Sequence, residues 1–344
     1  MKRKATLVDL AERAGVSYVT VHKALNNKPG VSEEKRKEIL KLAEELEYSA
    51  NIAASVLKRP EICIAVVLQG LNTPNSFFSE RMWKPVDEVE KEYLNYKVTF
   101  LRFPSDITSR SQKEILKELA FRNNVHGVII NCLDRTDLND EINILINKRI
   151  PVVTVNSDAP DSLRSDFISA DNFRIGKLAA GMLLFGSAGY SGNVLVLGGS
   201  SYAEVHQENI RGFREELGQY SNISLRILYQ MDYPDQEERV RAFLMENPDA
   251  AGVYSNSSTG TYFMCRAAKK LGWNRDAKLI GSDAFKELIP YFEEGILDAC
   301  IWKNPAKQIS EAVAAVYHRI LKSPYTKNEI DLGILMKHNV QDYI

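Results

Sequence analysis

The chain has 344 residues, 44 Lys and Arg against 45 Asp and Glu, and a net charge of -1. That length is too great for one ordinary core and suits several units, and the balance of charge taken whole gives no hint of a nucleic-acid binder. Charge by segment differs: residues 1–60 carry twelve basic and eight acidic residues, a net of +4, while the remainder carries 32 and 37, a net of -5.

The N-terminus, MKRKATLVDLAERAG, interrupts its apolar residues with charges before the apolar region of a signal peptide could form. The densest apolar run, 64–68, is far short of the roughly 20 residues that a membrane helix needs. A cytoplasmic protein without a membrane partner is expected. Cys63, Cys132, Cys265 and Cys300 stand singly in apolar segments with no CxxC or Cys/His spacing, which predicts buried reduced thiols and no metal site.

In chain order, Thr6 followed by Asp9 marks a helix start, and Leu7, Leu10, Ala11 and Ala14 then recur at helical spacing. Gly15 allows a sharp turn, and Ser17 is placed to cap a second helix whose Val21, Ala24 and Leu25 face the first. A third helix follows Ser32, with Glu33 and Glu34 at its positive end and Ile39, Ala43 and Leu46 completing a small core. Tyr18, Val19, His22 and Lys23 then face outward. In the major groove Lys23 could donate to guanine, Tyr18 could hydrogen-bond or stack, and Val19 could touch a thymine methyl, while Ser17 and Thr20 reach phosphates. A plain three-helix bundle with a solvated face has the same periodicity.

The combination resembles the DNA-binding headpiece of the lac repressor (LacI) family. Asp9, Ala11, Ala14 to Ser17, Thr20, Val21, Leu25, Asn26, Val31, Ser32, Tyr48 and Asn51 carry the match. His22 and Lys23 replace the Ser and Arg of many members. The resemblance implies DNA contacts at Thr6, Asn26, Asn51, Ala54 and Leu57 besides the residues already named. It also implies that the short run 51–57 folds as a hinge helix only with a second copy, in the operator's minor groove, with Leu57 as the wedge. Ala50 stands where proline is usual and Ser55 where a basic residue is common. The expected units are a headpiece over 1–49, a hinge and linker over 50–60, and a core over 61–344.

From residue 62 onward, short apolar runs at 62–68, 98–101, 128–130, 152–155, 193–197, 225–229, 252–254 and 279–281 read as strands, with helical patterns between nearly every pair. Such alternation specifies parallel sheets covered on both faces, here two doubly wound lobes with the ligand site beyond the strands' carboxyl ends. This stretch resembles the periplasmic-binding-protein-like core of the same family and, through it, the ribose-binding proteins. The segments that carry this are Asn75-Ser76-Phe77-Phe78, Ser169-Ala170-Asp171-Asn172, Ile280-Gly281-Ser282-Asp283 and 300–305. A sugar would rest on Phe77 or Phe78, with Asp283 accepting, Asn256 offering an amide and Lys303 donating. Asn75, Asn156 and Asn209 complete the candidate set, and Asp171 either accepts from the ligand or caps the following helix. Ser157 and Asn209 replace arginines common in sugar-binding relatives. His206, Tyr202, Trp83 and Trp302 are further possible contributors.

An enzyme is the main rival class. Gly198-Gly199-Ser200 follows a strand but forms neither a dinucleotide fingerprint nor a P-loop, and there is no G-x-S-x-G, H-E-x-x-H or Cys/His pair. No catalytic residue and no cofactor are expected. A secreted solute receptor matches the core but not the basic headpiece. The reading is a homodimeric repressor that binds a pseudopalindromic double-stranded operator under control of a sugar. After a final strand at 334–336 no heptad tail extends the assembly.

Overall fold

The computed structural model describes residues 7–25, 30–46, 60–73, 76–185, 192–273 and 277–344. Two compact units are present, a helical N-terminal one and an α/β one that begins at Ile62.

In the helical unit α1 (Leu7–Ala14) stops where Gly15 takes φ +63°, and the Val16 amide bonds back to Ala11 O at 3.1 Å. Ser17 Oγ then accepts the Thr20 amide and starts α2 (Tyr18–Leu25). Ser32 Oγ does the same for Lys35 at the start of α3 (Glu33–Glu45). Leu10, Ala14, Val21, Ala24 and Ile39 form the fully enclosed core of the three helices. Arg36 of α3 reaches the carbonyls of Ala24 (3.1 Å) and Lys23 (3.4 Å), so the C-terminal end of α2, short of intrahelical donors, is satisfied by a cation.

The α/β unit has two lobes. The first contains β1 (Ile62–Gln69), α4 (Ser76–Tyr93), β2 (Val98–Ser105), α5 (Ser109–Phe121), β3 (Gly127–Ile130), α6 (Asn139–Asn147), β4 (Val152–Val155) and β5 (Asp166–Ile168). Its sheet order is β2-β1-β3-β4-β5, and every residue of β1, β3 and β4 is buried, as strands covered on both faces must be.

After α7 (Asn172–Leu184) the second lobe repeats the plan. It contains β6 (Gly192–Leu197), α8 (Glu204–Leu217), β7 (Ile223–Leu228), α9 (Gln236–Met245), β8 (Gly252–Ser255), α10 (Ser258–Leu271), β9 (Lys278–Ser282), α11 (Ile289–Glu293) and β10 (Ala299–Trp302). The order β7-β6-β8-β9-β10 is extended at its edge by β11 (Gly333–Leu335), antiparallel to β10. Two strands, β5 and β10, had not been expected from the sequence as strands. β5 has only three residues and β10 four, too short for a clear apolar run.

The lobes exchange elements. α7 leaves the first lobe's β5 yet packs on β8, β9 and α8 of the second. α12 (Pro305–Ile320) leaves β10 and packs on β3, β4 and β5 of the first, after which the chain returns for β11. The chain thus crosses between lobes three times, which leaves a hinge beside the open carboxyl ends of both sheets.

Candidate effector cleft and DNA-reading helix

Corresponding strands of the two lobes end alike. The amide after the third strand bonds to the first strand in each, Asn131 to Val67 O and Asn256 to Leu197 O, both at 3.1 Å. The residue after the fourth strand has φ +62° in each, Asn156 and Asp283, and its amide bonds to the fifth strand, at Ile168 O and Ile301 O, both at 2.9 Å. Asn and Asp are the side chains that tolerate this left-handed conformation, which explains a carboxamide and a carboxylate at equivalent places. Each lobe therefore sets polar side chains at the carboxyl ends of its third and fourth strands, the third beside the switch point where the strand order reverses.

Between these ends lies a cleft of about 880 Å3, partly open to solvent. Gln69, Asn131, Cys132, Asn156 and Ser157 line it from the first lobe, and Ser200, His206, Asn256, Ser257, Asp283 and Lys303 from the second. Phe78, Ile107, Val205 and Met231 supply its apolar surface, and Gln236 stands at its edge from the first turn of α9.

Asp283 and Lys303, both nearly fully buried, form an ion pair at 3.7 Å. Asp283 Oδ2 also accepts from Ser258 Oγ at 2.7 Å, and Lys303 Nζ donates to Asn256 O at 3.3 Å. The Ser200 amide donates to His206 Nδ1 at 3.0 Å, which puts the ring proton on Nε2. Desolvation, and after it the Lys303 ammonium, lowers the pKa of this imidazole from 6.5 to about 3, so it is neutral at physiological pH. Burial likewise holds the Cys132 thiol far above its usual range, and it stays protonated.

The His206 shift gives a stability prediction. Between pH 6.5 and about 3 this ring is protonated in the unfolded chain and neutral in the folded one. Stability present above pH 6.5 is therefore lost as pH falls, by at most about 1.4 kcal/mol per pH unit from one group. His206→Asn should flatten the fall in melting temperature between pH 7 and 4.5 relative to the parent. Parallel curves for the two proteins would show that the ring does not titrate differently on folding.

Of the residues proposed from sequence, Phe78, Asn156, Asn256, Asp283 and Lys303 line the cleft. Three do not. Phe77 stacks on Phe285 (centroids 4.3 Å apart, planes 14°) and touches Tyr262, in the second lobe's apolar cluster. Asp171 is exposed and caps α7 by accepting the Arg174 amide. Asn209 is buried against Tyr254, whose hydroxyl donates to its Oδ1 at 3.0 Å. Asn75 lies outside the described residues. Trp83 donates its indole N–H to Gln69 O, and Trp302 meets Tyr343 edge to face. Asn131, Ser257 and Gln236 were missed. Asn131 had a usable signal, an asparagine following a buried strand as Asn256 does, whereas Gln236 had none.

On α2, Val19 is 57% exposed, a large apolar side chain facing solvent, and Ser17 is exposed beside it. Ser17 Oγ lies 2.9 Å from Thr20 Oγ1, and Lys23 is half-buried. Of Tyr18 and His22 only the backbone is described, and Thr6, Asn26, Asn51, Ala54 and Leu57 lie outside the described residues.

The fold and the cleft define a helix-turn-helix unit joined to a two-lobed ligand-binding core. The family models agree: that of the periplasmic binding protein domain matches residues 64–323, and that of the bacterial regulatory proteins of the lacI family matches residues 6–51. The chain is 26% identical over 336 residues to the probable HTH-type transcriptional repressor ExuR of Bacillus subtilis (strain 168), with 94% of each chain covered. Against the ribose operon repressor of the same organism it is 26% identical over 346 residues, 96% of each chain.

Among solved structures, a glucose-galactose binding protein from Geobacillus stearothermophilus, GanP, matches with a TM-score of 0.73 at 22% identity, over 82% of this chain and 99% of that one. A solute binding protein from Agrobacterium vitis bound with alpha-D-tagatopyranose gives 0.72 at 19%, over 83% and 99%. At these identities the two structures establish the fold. The chain belongs to the lacI family of bacterial regulatory proteins and is a DNA-binding transcription regulator. Among the described residues no helix is long and apolar enough to cross a membrane.

Proposed function

We propose that the protein is a cytoplasmic repressor that binds a pseudopalindromic operator as a homodimer and is released from it, or held on it, by a sugar in the wide sense, sugar acids and sugar phosphates included. The observation that carries the effector reading is the cleft itself, polar at the carboxyl ends of two sheets whose lobes are linked through three crossings. A ligand that favours one lobe arrangement shifts the population towards it. By linkage, the factor by which effector changes operator affinity equals the factor by which operator changes effector affinity. The relative named ribose operon repressor, and the sugar-binding proteins that share the core's fold, support this class of ligand.

The DNA-reading face is α2, with Ser17, Tyr18, Val19, Thr20, His22 and Lys23. Its test begins by selecting the preferred site from random duplexes with the full chain. Lys23→Ala should then lose roughly 1–3 kcal/mol on that site and far less on unrelated DNA, with a relaxed base preference where Lys23 donates. Equal losses on both DNAs would reassign Lys23 to the phosphates. Failure to select any site would overturn the repressor reading.

A further inference from the structure

The cleft wall carries buried polar atoms without partners. Asn256 Oδ1, Gln236 Oε1 and Ser157 Oγ make no hydrogen bond, and Asn256 is only 1% exposed. The Asn256 amide is oriented, since its Nδ2 donates to His206 O at 3.3 Å, so the oxygen is the atom left over. Amide oxygens only accept, and a buried one is satisfied by a donor from the ligand or from water that the ligand replaces. His206 offers the complement, because with Nδ1 occupied its remaining ring nitrogen is an N–H donor.

The charge of the wall is already balanced. Asp283 and Lys303 are its one acid and one base among the described residues, and they pair with each other. Arg81 does not line the cleft; its Nε is buried without a hydrogen-bond partner, and Asp283, Glu80 and Glu287 oppose its charge. Helices of the second lobe start at the wall without leaving a start free for an anion, and Glu237 and Glu238 occupy the first turn of α9. Ser257 Oγ caps α10 by accepting the Gly260 amide, and Glu204 occupies the first turn of α8.

From these unpaired acceptors and this self-neutralised wall, we infer that the effector is an uncharged polyhydroxylated molecule, a free sugar or polyol, and not a sugar acid or a sugar phosphate. The inference rests on the sugar reading above and narrows it. Hydroxyls both donate and accept, so they answer Asn256 Oδ1, Gln236 Oε1 and the His206 N–H together. A carboxylate or phosphate brings acceptors only. It would lie against the Asp283 carboxylate or take Lys303 from it, and would leave the water that solvated it for no uncommitted cation among the lining residues.

The test is calorimetric titration of the full chain with matched probes: D-glucose, D-glucuronate and D-glucose 6-phosphate, the galactose counterparts, and D-ribose with D-ribose 5-phosphate. The expected result is that at least one free sugar binds about 100-fold or more tightly than its own acid and phosphate. A second arm uses Gln236→Lys, which adds a cation to the wall at a partly exposed helix start. It should narrow that preference at least about tenfold. An acid or phosphate that binds the parent protein more tightly than its free sugar overturns this inference and leaves the sugar reading standing. If no probe of any class binds at 10 mM while the selected DNA site is still bound, the sugar reading falls and this inference with it.

Discussion

Asp283→Asn should weaken binding of the free sugar found by titration by about 10- to 150-fold, corresponding to the roughly 1.5–3 kcal/mol of a hydrogen bond to charge. The backbone accommodates the change, because asparagine tolerates φ +62° as aspartate does. The side chain has two duties in the structure. Its Oδ2 holds Ser258 and faces Lys303, and the residue also lines the cleft. The substitution therefore leaves the Lys303 ammonium buried opposite a neutral amide, and the ligand-free core should melt at a lower temperature. Ser258→Ala separates the duties, since it removes the supporting bond and keeps the carboxylate. It should lower melting too, with a much smaller loss of sugar affinity than Asp283→Asn. Operator affinity without effector should stay within about threefold of the parent for both, because neither touches the reading helix. Unchanged sugar affinity in Asp283→Asn, with melting lowered, would make Asp283 a support for the loop and nothing more.

Gly176→Ala should cost about 3 kcal/mol or more and lower the melting temperature by roughly 5–10 °C. A Cβ at this position of α7 would fall 1.9 Å from Asn209 O and 2.6 Å from Phe213 N of α8. Both are backbone atoms, which cannot swing aside as a flexible side chain would. Gly212 of α8 makes the reciprocal approach, with its would-be Cβ 1.9 Å from Phe173 O, so the helices cross at backbone contact on a pair of glycines. α8 also carries Val205 and His206 at the cleft, and pushing it outward should weaken sugar binding along with stability. Gly181→Ala is the control in the same helix. Nothing lies within 4 Å of its Cβ, so helix propensity alone acts and the variant should be as stable as the parent or more so, by up to about 1 kcal/mol. A Gly176→Ala protein melting within a degree of the parent would show that the crossing relaxes without cost.

Features that depend on near neighbours in the chain are legible in its residues. Gly15, Ser17 and Ser32 set the turn and two helix starts of the headpiece, and the spacing of Leu10, Ala14, Val21, Ala24 and Ile39 set its core. Buried runs such as Ile62–Gln69 and Val152–Val155 announced two covered parallel sheets, and with them the strand ends where Asn256, Asp283 and Lys303 stand. Membership of the cleft was decided only by tertiary structure. Phe77 and Phe78 are the same residue side by side in the first turn of α4, yet about 100° of helical rotation separates them. One joins Phe285 and Tyr262 in the second lobe's core, and the other lines the cavity. Asn209 and Asn256 likewise read alike in one dimension. A tyrosine hydroxyl 45 residues away satisfies the first, while the second keeps an oxygen unpaired at the wall. Which buried polar atom finds a partner depends on contacts between segments far apart in the chain, and local periodicity carries no record of them.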